Sequence, residues 1–274
     1  MRCSIIVPTY NRPHQIPPLL QSLRRLRYPD CEIIIVDDGS TVGDLGQLTL
    51  PENARVVRQA NGGPAMARNT GARLATGDLL AFTDDDCRPH PNWLAPFAKQ
   101  FEHTPDALFG GQVVNGLPNN PYAVATQHLI DFLRGDPPVF FPSNNIAIGR
   151  TRFHTLGGFS ESFPLAAGED RDFCDRANRL VYCPNAIIYH DHHLTLRRYW
   201  RQHANYGRGA WQLRNVRASA GKRHFSSLTY YSNLLSTPVR AHGATGLRTS
   251  GLLLLAQFAT AFGMLHAASS LKYR

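Results

Sequence analysis

Residues 79–89 read LLAFTDDDCRP: a four-residue apolar run, Leu79, Leu80, Ala81 and Phe82, that breaks off into three consecutive carboxylates, Asp84, Asp85 and Asp86. The run predicts a short buried strand over 79–83, ended by Pro89 and Pro91, which cannot extend a sheet. Two carboxylates 4 Å apart repel by roughly 4 kcal/mol at an effective dielectric near 20, so acids gathered at a half-buried strand end require a positive partner. A divalent cation fits. With side chains alternating at period two, Asp84 and Asp86 share a face and can converge on one hard ion, while Asp85 points away. A lone DDD would read more readily as a solvated acidic turn, and it is the neighbouring stretches that favour the metal.

Upstream, β-branched runs at 4–7 and 32–36 flank a helical segment at 19–26, with Pro17 and Pro18 suited to its first turn. A strand at 55–58 and a helix at 64–75 lead into the acidic strand. This alternation predicts an α/β fold, a mostly parallel sheet flanked by helices on both faces. Ligands of such sheets sit beyond the carboxyl ends of the strands, where three polar clusters coincide: Pro8-Thr9-Tyr10-Asn11, Asp37-Asp38-Gly39-Ser40 and the triple Asp. Asn61-Gly62-Gly63 offers free backbone N–H groups, and Arg68 and Arg73 add positive charge, all useful beside a pyrophosphate. Downstream, the pattern predicts a helix at 92–103, strands at 107–114 and 139–148 around a helix at 122–133, a helix from Gly168 to about 180, and a strand at 182–190. The second of those strands holds Ser143, Asn144 and Asn145. Glu169 and Asp172, in a first helical turn, read as dipole partners worth a few tenths of a kcal/mol.

The chain has 274 residues, and 43% hydrophobic content suffices for a substantial core. Its charge is divided unevenly. Residues 192–274 carry 12 basic and no acidic side chains, against 17 basic and 20 acidic in residues 1–191, so the C-terminal part is expected to meet something anionic. Five cysteines without CxxC spacing indicate neither a disulfide framework nor a zinc site, and a reducing cytosol is the simplest compartment. The N-terminal segment is too short and strand-like for a signal peptide. A basic, aromatic helix over 194–214 is followed by 23 residues, 249–271, without formal charge, whose apolar heart of 15 residues, 251–265, falls short of a membrane span.

PTYNRP at 8–13, VDDGS at 36–40, NGGPAMARNTG at 61–71, TDDDCRP at 83–89, GGF at 157–159 and GEDRDFCDR at 168–176 occur in that order. Together they resemble an inverting glycosyltransferase of family 2, with the nucleotide-sugar-binding GT-A fold, over residues 3–193. The resemblance implies a catalytic domain over 1–193, and the charge and composition beyond it mark 194–274 as a basic, aromatic helical region expected to associate with a membrane. It implies that Pro8, Thr9 and Tyr10 line the nucleotide pocket, that Asp37 and Asp38 hold uracil and ribose, and that Arg68 fixes base or phosphates. Asp84 and Asp86 match the family's DxD motif, which binds manganese or magnesium bridging the donor diphosphate, with Asp85 beside them at the nucleotide-sugar site. Asp170 matches the general base of the ED motif, and His190 a histidine that completes the metal site in some members.

The expected function is therefore metal-dependent transfer from a nucleotide-sugar, in the first instance a UDP-sugar, to a hydroxyl acceptor in polysaccharide or glycolipid synthesis. A nucleotide-sugar-binding protein without turnover is the alternative. A Rossmann oxidoreductase is disfavoured because PTYNRP stands where GxGxxG belongs. Basic residues Arg197, Arg198, Arg201, Arg208, Arg214, Arg217, Lys222 and Arg223, spaced among Tyr199, Trp200, Tyr206 and Trp211, suit an anionic membrane surface at the cytoplasmic face better than nucleic acid.

Overall fold

The computed structural model describes residues 1–163, 167–219 and 227–270. Four parallel strands form its first half: β1 (Cys3–Thr9), β2 (Cys31–Asp37), β3 (Ala54–Arg58) and β4 (Leu79–Phe82). The direction then changes. β7 (Ile146–Gly149) runs antiparallel to β4 and to β6 (Leu108–Asn115), β6 runs parallel to β8 (Leu180–His190), and β5 (Cys87–Pro89) pairs antiparallel with β8 at the edge. Among the described residues this is one eight-stranded sheet in the order β3-β2-β1-β4-β7-β6-β8-β5.

Alternation in β1 and β2 divides the interior into two layers. Ile5, Val7, Ile33 and Ile35 face one side, where α1 (Ile16–Leu23) covers them with Leu19, Leu20 and Leu23. Ile6, Ile34 and Val36 face the other, under Ala65, Ala67 and Ala72 of α2 (Pro64–Leu74). Both faces are dry, which is why these strands read as continuous apolar runs. α3 (Leu94–His103) packs across β8 and β7, and α5 (Arg150–Thr155) follows β7.

The structure departs from the sequence expectation at several places. Pro89 does lie in a strand, but at the end of the three-residue edge strand β5, where a missing N–H costs least. Ser143–Asn145 is a 3-10 turn rather than strand, leaving only β7 extended. Its polar side chains are used as cross-links: Trp93 Nε1 donates to Asn145 Oδ1 at 2.8 Å, and Asn145 Nδ2 donates to the backbone carbonyls of Gln112 and Ala186. α6 (Glu169–Ala177) stops short of residue 180 because Asn178 takes a left-handed conformation, φ 61°.

Among the described residues the C-terminal region holds the α-helices α7 (Leu196–Ser219), α8 (Leu228–His242) and α9 (Gly246–Ser270), packed on α4 (Pro121–Arg134) and α6. α7 and α9 cross almost backbone to backbone. A Cβ at Gly207 would lie 2.0 Å from the carbonyl oxygen of Thr260, and one at Gly263 would lie 1.9 Å from that of Ala204, so only glycine fits either position. Tyr199 is fully buried, donates its hydroxyl to the Leu252 carbonyl at 2.9 Å and stacks near Tyr122, which removes it from the expected headgroup-level rings. Lys222, Arg223 and Leu271 lie outside the described residues.

α9 is 25 residues long, more than the 15-residue apolar heart seen in sequence, because Thr260 satisfies its own hydroxyl on the Ala256 carbonyl and does not interrupt the helix. By length and composition Leu228–Ser269 includes a stretch that could cross a membrane, 22% of it buried in the protein. Leu247, Leu254, Phe258, Phe262 and Leu265 form an exposed apolar stripe at helical spacing along α9.

Candidate active site

The three polar clusters do converge at the carboxyl ends of β1, β2 and β4. Thr9 and Asp37 are register partners, and Asp38 N donates to the Thr9 carbonyl at 2.9 Å. Asn11, in a left-handed conformation with φ 54°, accepts at Oδ1 from the backbone N–H of Thr41 and Val42 and so ties the loop after β1 to the loop after β2.

Several expected ligand contacts are instead contacts within the protein. Asp38 accepts from Gly62 N at 2.9 Å, Gly63 N at 2.8 Å, Asn61 Nδ2 and Gln59 Nε2. The glycine N–H groups are therefore engaged, not free for a pyrophosphate, because a buried carboxylate beside them takes both. Asp37 accepts from Ser40 N at 2.9 Å, with Arg58 Nη1 3.6 Å away. Pro8 is buried within β1, while Tyr10, 45% exposed, stands at the surface just beyond it.

β4 ends at Phe82, so the three acids occupy the turn between β4 and β5, and period-two alternation does not govern them. They point three ways. Asp85 is buried and accepts from Thr9 Oγ1 at 2.6 Å. Asp84 accepts from Arg68 Nη2 at 2.8 Å. Asp86 faces His190, with Oδ1 3.3 Å from Nε2, because Cys87 and His190 are directly opposed in the β5–β8 pairing. Burial pushes the Asp85 carboxyl up to about 7 against the pull of Arg12. For Asp86 burial acts upward too, but the neighbouring His190 and Arg12 outweigh it and hold the carboxyl well down.

Among the described residues, the metal-ligand atoms of Asp86, Cys87 and His190 lie within 4.8 Å of one another. The cluster does not include Asp84, whose carboxylate is turned to Arg68. A carboxylate and an imidazole form a donor set that fits manganese and, less well, magnesium, which prefers oxygen alone. Burial raises the Cys87 thiol well above its ordinary range, so this sulfur reads as core rather than ligand.

Arg68 is 3% exposed and reaches from Asp84 to Glu169 Oε1 at 3.2 Å, joining the acidic turn to the first turn of α6. Glu169 does stand in the first turn of α6, as expected of a dipole partner, but it is also buried, and burial together with Asp170 pushes its carboxyl up to about 8 despite Arg68. Asp170, next along, is raised mainly by burial and accepts from Arg171 N at 2.8 Å. Gly168, with φ 99°, makes the left-handed turn that starts α6. Asp172 is held by Arg176 at 2.8 Å.

Two further residues reach the site: Arg12, not singled out from sequence, and Tyr206, picked out there only as one of the aromatic rings of a membrane-facing helix. Arg12 pairs with Asp85 and Asp86, and its place in PTYNRP, one loop from the acids, was the available signal. Tyr206 on α7 lies within electrostatic reach of Asp170, Glu169 and Asp84: burial first, then these acids, raise its hydroxyl, and Gln202 Nε2 donates to it at 2.8 Å. Periodicity within α7 carries no trace of that proximity. Two cavities, of about 300 Å³ between β6 and α4 and about 520 Å³ beside α3, lie away from these acids.

Residues 4–165 match the model of the glycosyl transferase family 2. The chain belongs to that family. It is 32% identical over 235 residues to the pre-mycofactocin glycosyltransferase of Mycobacterium tuberculosis, a match covering 77% of this chain and 47% of the relative. The chain thus spans about half the length of that curated family 2 relative. It is also 33% identical over 183 residues to an uncharacterized glycosyltransferase of Haemophilus influenzae, covering 62% of this chain and 60% of that one. Among solved structures, mannosyltransferase PcManGT from Pyrobaculum calidifontis, in complex with GDP-Man and Mn2+, aligns over 100% of this chain and 81% of its own with a TM-score of 0.62 at 21% identity. S. aureus TarS 1-349 in complex with UDP-GlcNAc aligns over 100% and 92% with a TM-score of 0.56, also at 21% identity. The family and the GT-A fold expected from the motifs are both borne out.

Proposed function

We propose that this family 2 protein is an inverting, metal-dependent glycosyltransferase that moves a sugar from a nucleotide-sugar, with a UDP-sugar as donor, to a hydroxyl of a saccharide or lipid-linked acceptor. The observation that carries the reading is the Arg68 bridge: one buried guanidinium spans from the acidic turn, where a diphosphate would be met, to the segment holding Asp170. Asp170, with its raised proton affinity, takes the proton of the acceptor hydroxyl as that oxygen attacks, and attack opposite the leaving diphosphate inverts the anomeric carbon. Asp86 and His190 would hold the divalent ion, manganese or magnesium, with Asp84, two residues earlier in the turn, held by Arg68. When bound, that ion supplies Lewis-acid neutralisation of the departing diphosphate. Tyr206, hydrogen-bonded to Gln202 on α7, lies within electrostatic reach of Asp170 and would stand near an acceptor approaching the base.

A thermal-shift panel of nucleotide-sugars with and without Mn2+ tests the donor, since a ligand at 100 times its Kd stabilises by about 2.7 kcal/mol. UDP release from the stabilising donor separates a transferase from a binding protein without turnover. Excess chelator and Asp86→Ala should each abolish the donor-dependent shift; an undiminished shift in chelator would rule out the metal role.

A catalytic part over 1–193 with a basic helical part over 194–274 would act at the cytoplasmic face of a membrane, in polysaccharide or glycolipid synthesis, rather than on nucleic acid; the exposed apolar stripe of α9 supports this reading. The α9 stripe and the exposed Trp200, which packs toward Phe262 across α7 and α9, would meet lipid. Arg197, Arg198 and Arg201 are exposed nearby on α7, each basic residue near an anionic surface contributing on the order of 1 kcal/mol. Arg217 is already paired with Asp175 and Tyr199 is buried, so the docking set is smaller than the sequence suggested. The protein should float with anionic liposomes at low salt, less so at high salt, and Phe258→Ser with Phe262→Ser should release it. Recovery of wild-type protein wholly in the soluble fraction at low salt would refute the membrane reading.

A further inference from the structure

Two arginines serve the three acids of the β4–β5 turn, and they differ in freedom. Arg68 lies inside α2, 3% exposed, locked between Asp84 and Glu169. Arg12 lies on the loop after β1, with a side chain 43% exposed, so its guanidinium can move while its backbone stays put. That backbone is anchored on both sides: the Arg12 carbonyl accepts from Gln15 N at 3.0 Å, and neighbouring Asn11 holds the loop at residues 41–42. From there Arg12 Nη2 sits 2.7 Å from Asp85 Oδ1, and Nη1 donates to Asp86 Oδ2 at 2.9 Å.

Asp86 is the shared group. One of its oxygens faces His190 and the other faces Arg12, so an ion held by Asp86 and His190 would have a guanidinium on the far side of the same carboxylate. Like charges so placed repel, and the guanidinium, being exposed, is the partner able to leave. A diphosphate arriving with the ion offers it a better place, because a planar guanidinium pairs with phosphate oxygens two at a time. Asp85, deep in the turn, has the Thr9 hydroxyl as a second partner besides Arg12.

We propose that Arg12 is an exchangeable counter-ion, resting on Asp85 and Asp86 before the donor binds and moving to the donor's diphosphate when a divalent ion takes Asp86. The inference rests on the metal-bound diphosphate reading above. Its consequence is cooperativity: the ion alone must displace Arg12, whereas ion and diphosphate together give Arg12 a new partner, so each tightens the other.

The test is calorimetric titration of the intact protein with Mn2+ alone, UDP alone, and UDP in saturating Mn2+. Arg12→Gln should bind Mn2+ alone about 10-fold more tightly than wild type and UDP in Mn2+ about 10-fold more weakly, which lowers the coupling between the two. Arg12→Lys, which keeps the charge but not the two-pronged geometry, should show wild-type Mn2+ affinity with weakened UDP binding, and it carries the test if Arg12→Gln does not fold. Arg25→Gln, removing an exposed charge after α1, should keep wild-type coupling. Unchanged or weaker Mn2+ binding by Arg12→Gln, unchanged coupling in Arg12→Lys, or the same change in Arg25→Gln each overturns the proposal. Wild-type protein that binds neither Mn2+ nor UDP overturns the donor reading as well, whereas wild-type binding with indifferent Arg12 variants overturns this inference alone.

Discussion

Asp170→Asn is expected to lower sugar transfer by roughly 100-fold or more while nucleotide-sugar affinity stays within a few-fold of wild type. The amide keeps the shape of the carboxylate and can still accept the Arg171 N–H, but it cannot take a proton from the acceptor. A base that would touch the acceptor and not the donor should show its loss in turnover. Single-turnover transfer and donor titration on the same preparation separate the two. Burial holds the Asp170 pKa above that of an ordinary carboxylate, and the base works only when unprotonated. Wild-type transfer should therefore fall on the acid side of its pH profile, at a higher pH than an exposed aspartate would give. Near-normal transfer by Asp170→Asn would move the role to Glu169, which lies beside it with its carboxyl at about 8, rather than to Asp172, whose carboxylate is committed to Arg176.

Arg68→Ala is expected to cost about 3–5 kcal/mol of stability, the usual penalty for removing one partner of a buried charge network. The side chain is 3% exposed and answers two acids, so its loss leaves Glu169 buried without a cation and Asp84 beside two further carboxylates. Urea unfolding should show the lower midpoint with little change in slope. Adding Glu169→Ala should recover part of the loss, since the unpaired acid is then gone. Arg68→Ala with a wild-type midpoint would mean that the bridge carries no load. Donor binding should weaken in the same variant, because Asp84 loses the contact that sets its direction.

The fold was legible because its signals are local. Apolar runs at 4–7, 32–36 and 79–82 report dry strands directly, and the polar residues that end them mark the edge where ligands of a parallel sheet collect. Six short motifs in register added the family. What failed were inferences that treated a neighbourhood as if sequence distance were spatial distance. Extending β4 through the acids placed Asp84 and Asp86 on one face, but the strand ends at Phe82 and the turn sends the two carboxylates to different partners, one on α2 and one on β8. Free glycine N–H groups at 62 and 63 were inferred without Asp38, 24 and 25 residues earlier, which captures both.

Residue chemistry and order along the chain therefore determined that this protein has a doubly covered sheet, an acidic turn at its ligand edge and a basic helical C-terminal region. Which acid faces which cation is a different kind of fact. Arg68 meets Glu169 across 101 residues of chain and Arg12 meets Asp86 across 74, contacts made when α2, α6 and the loop after β1 are brought over one strand end. Only the tertiary structure decided these pairings, because a buried charge takes whatever opposite charge the packing places within reach, and no periodicity in a single segment encodes that partner.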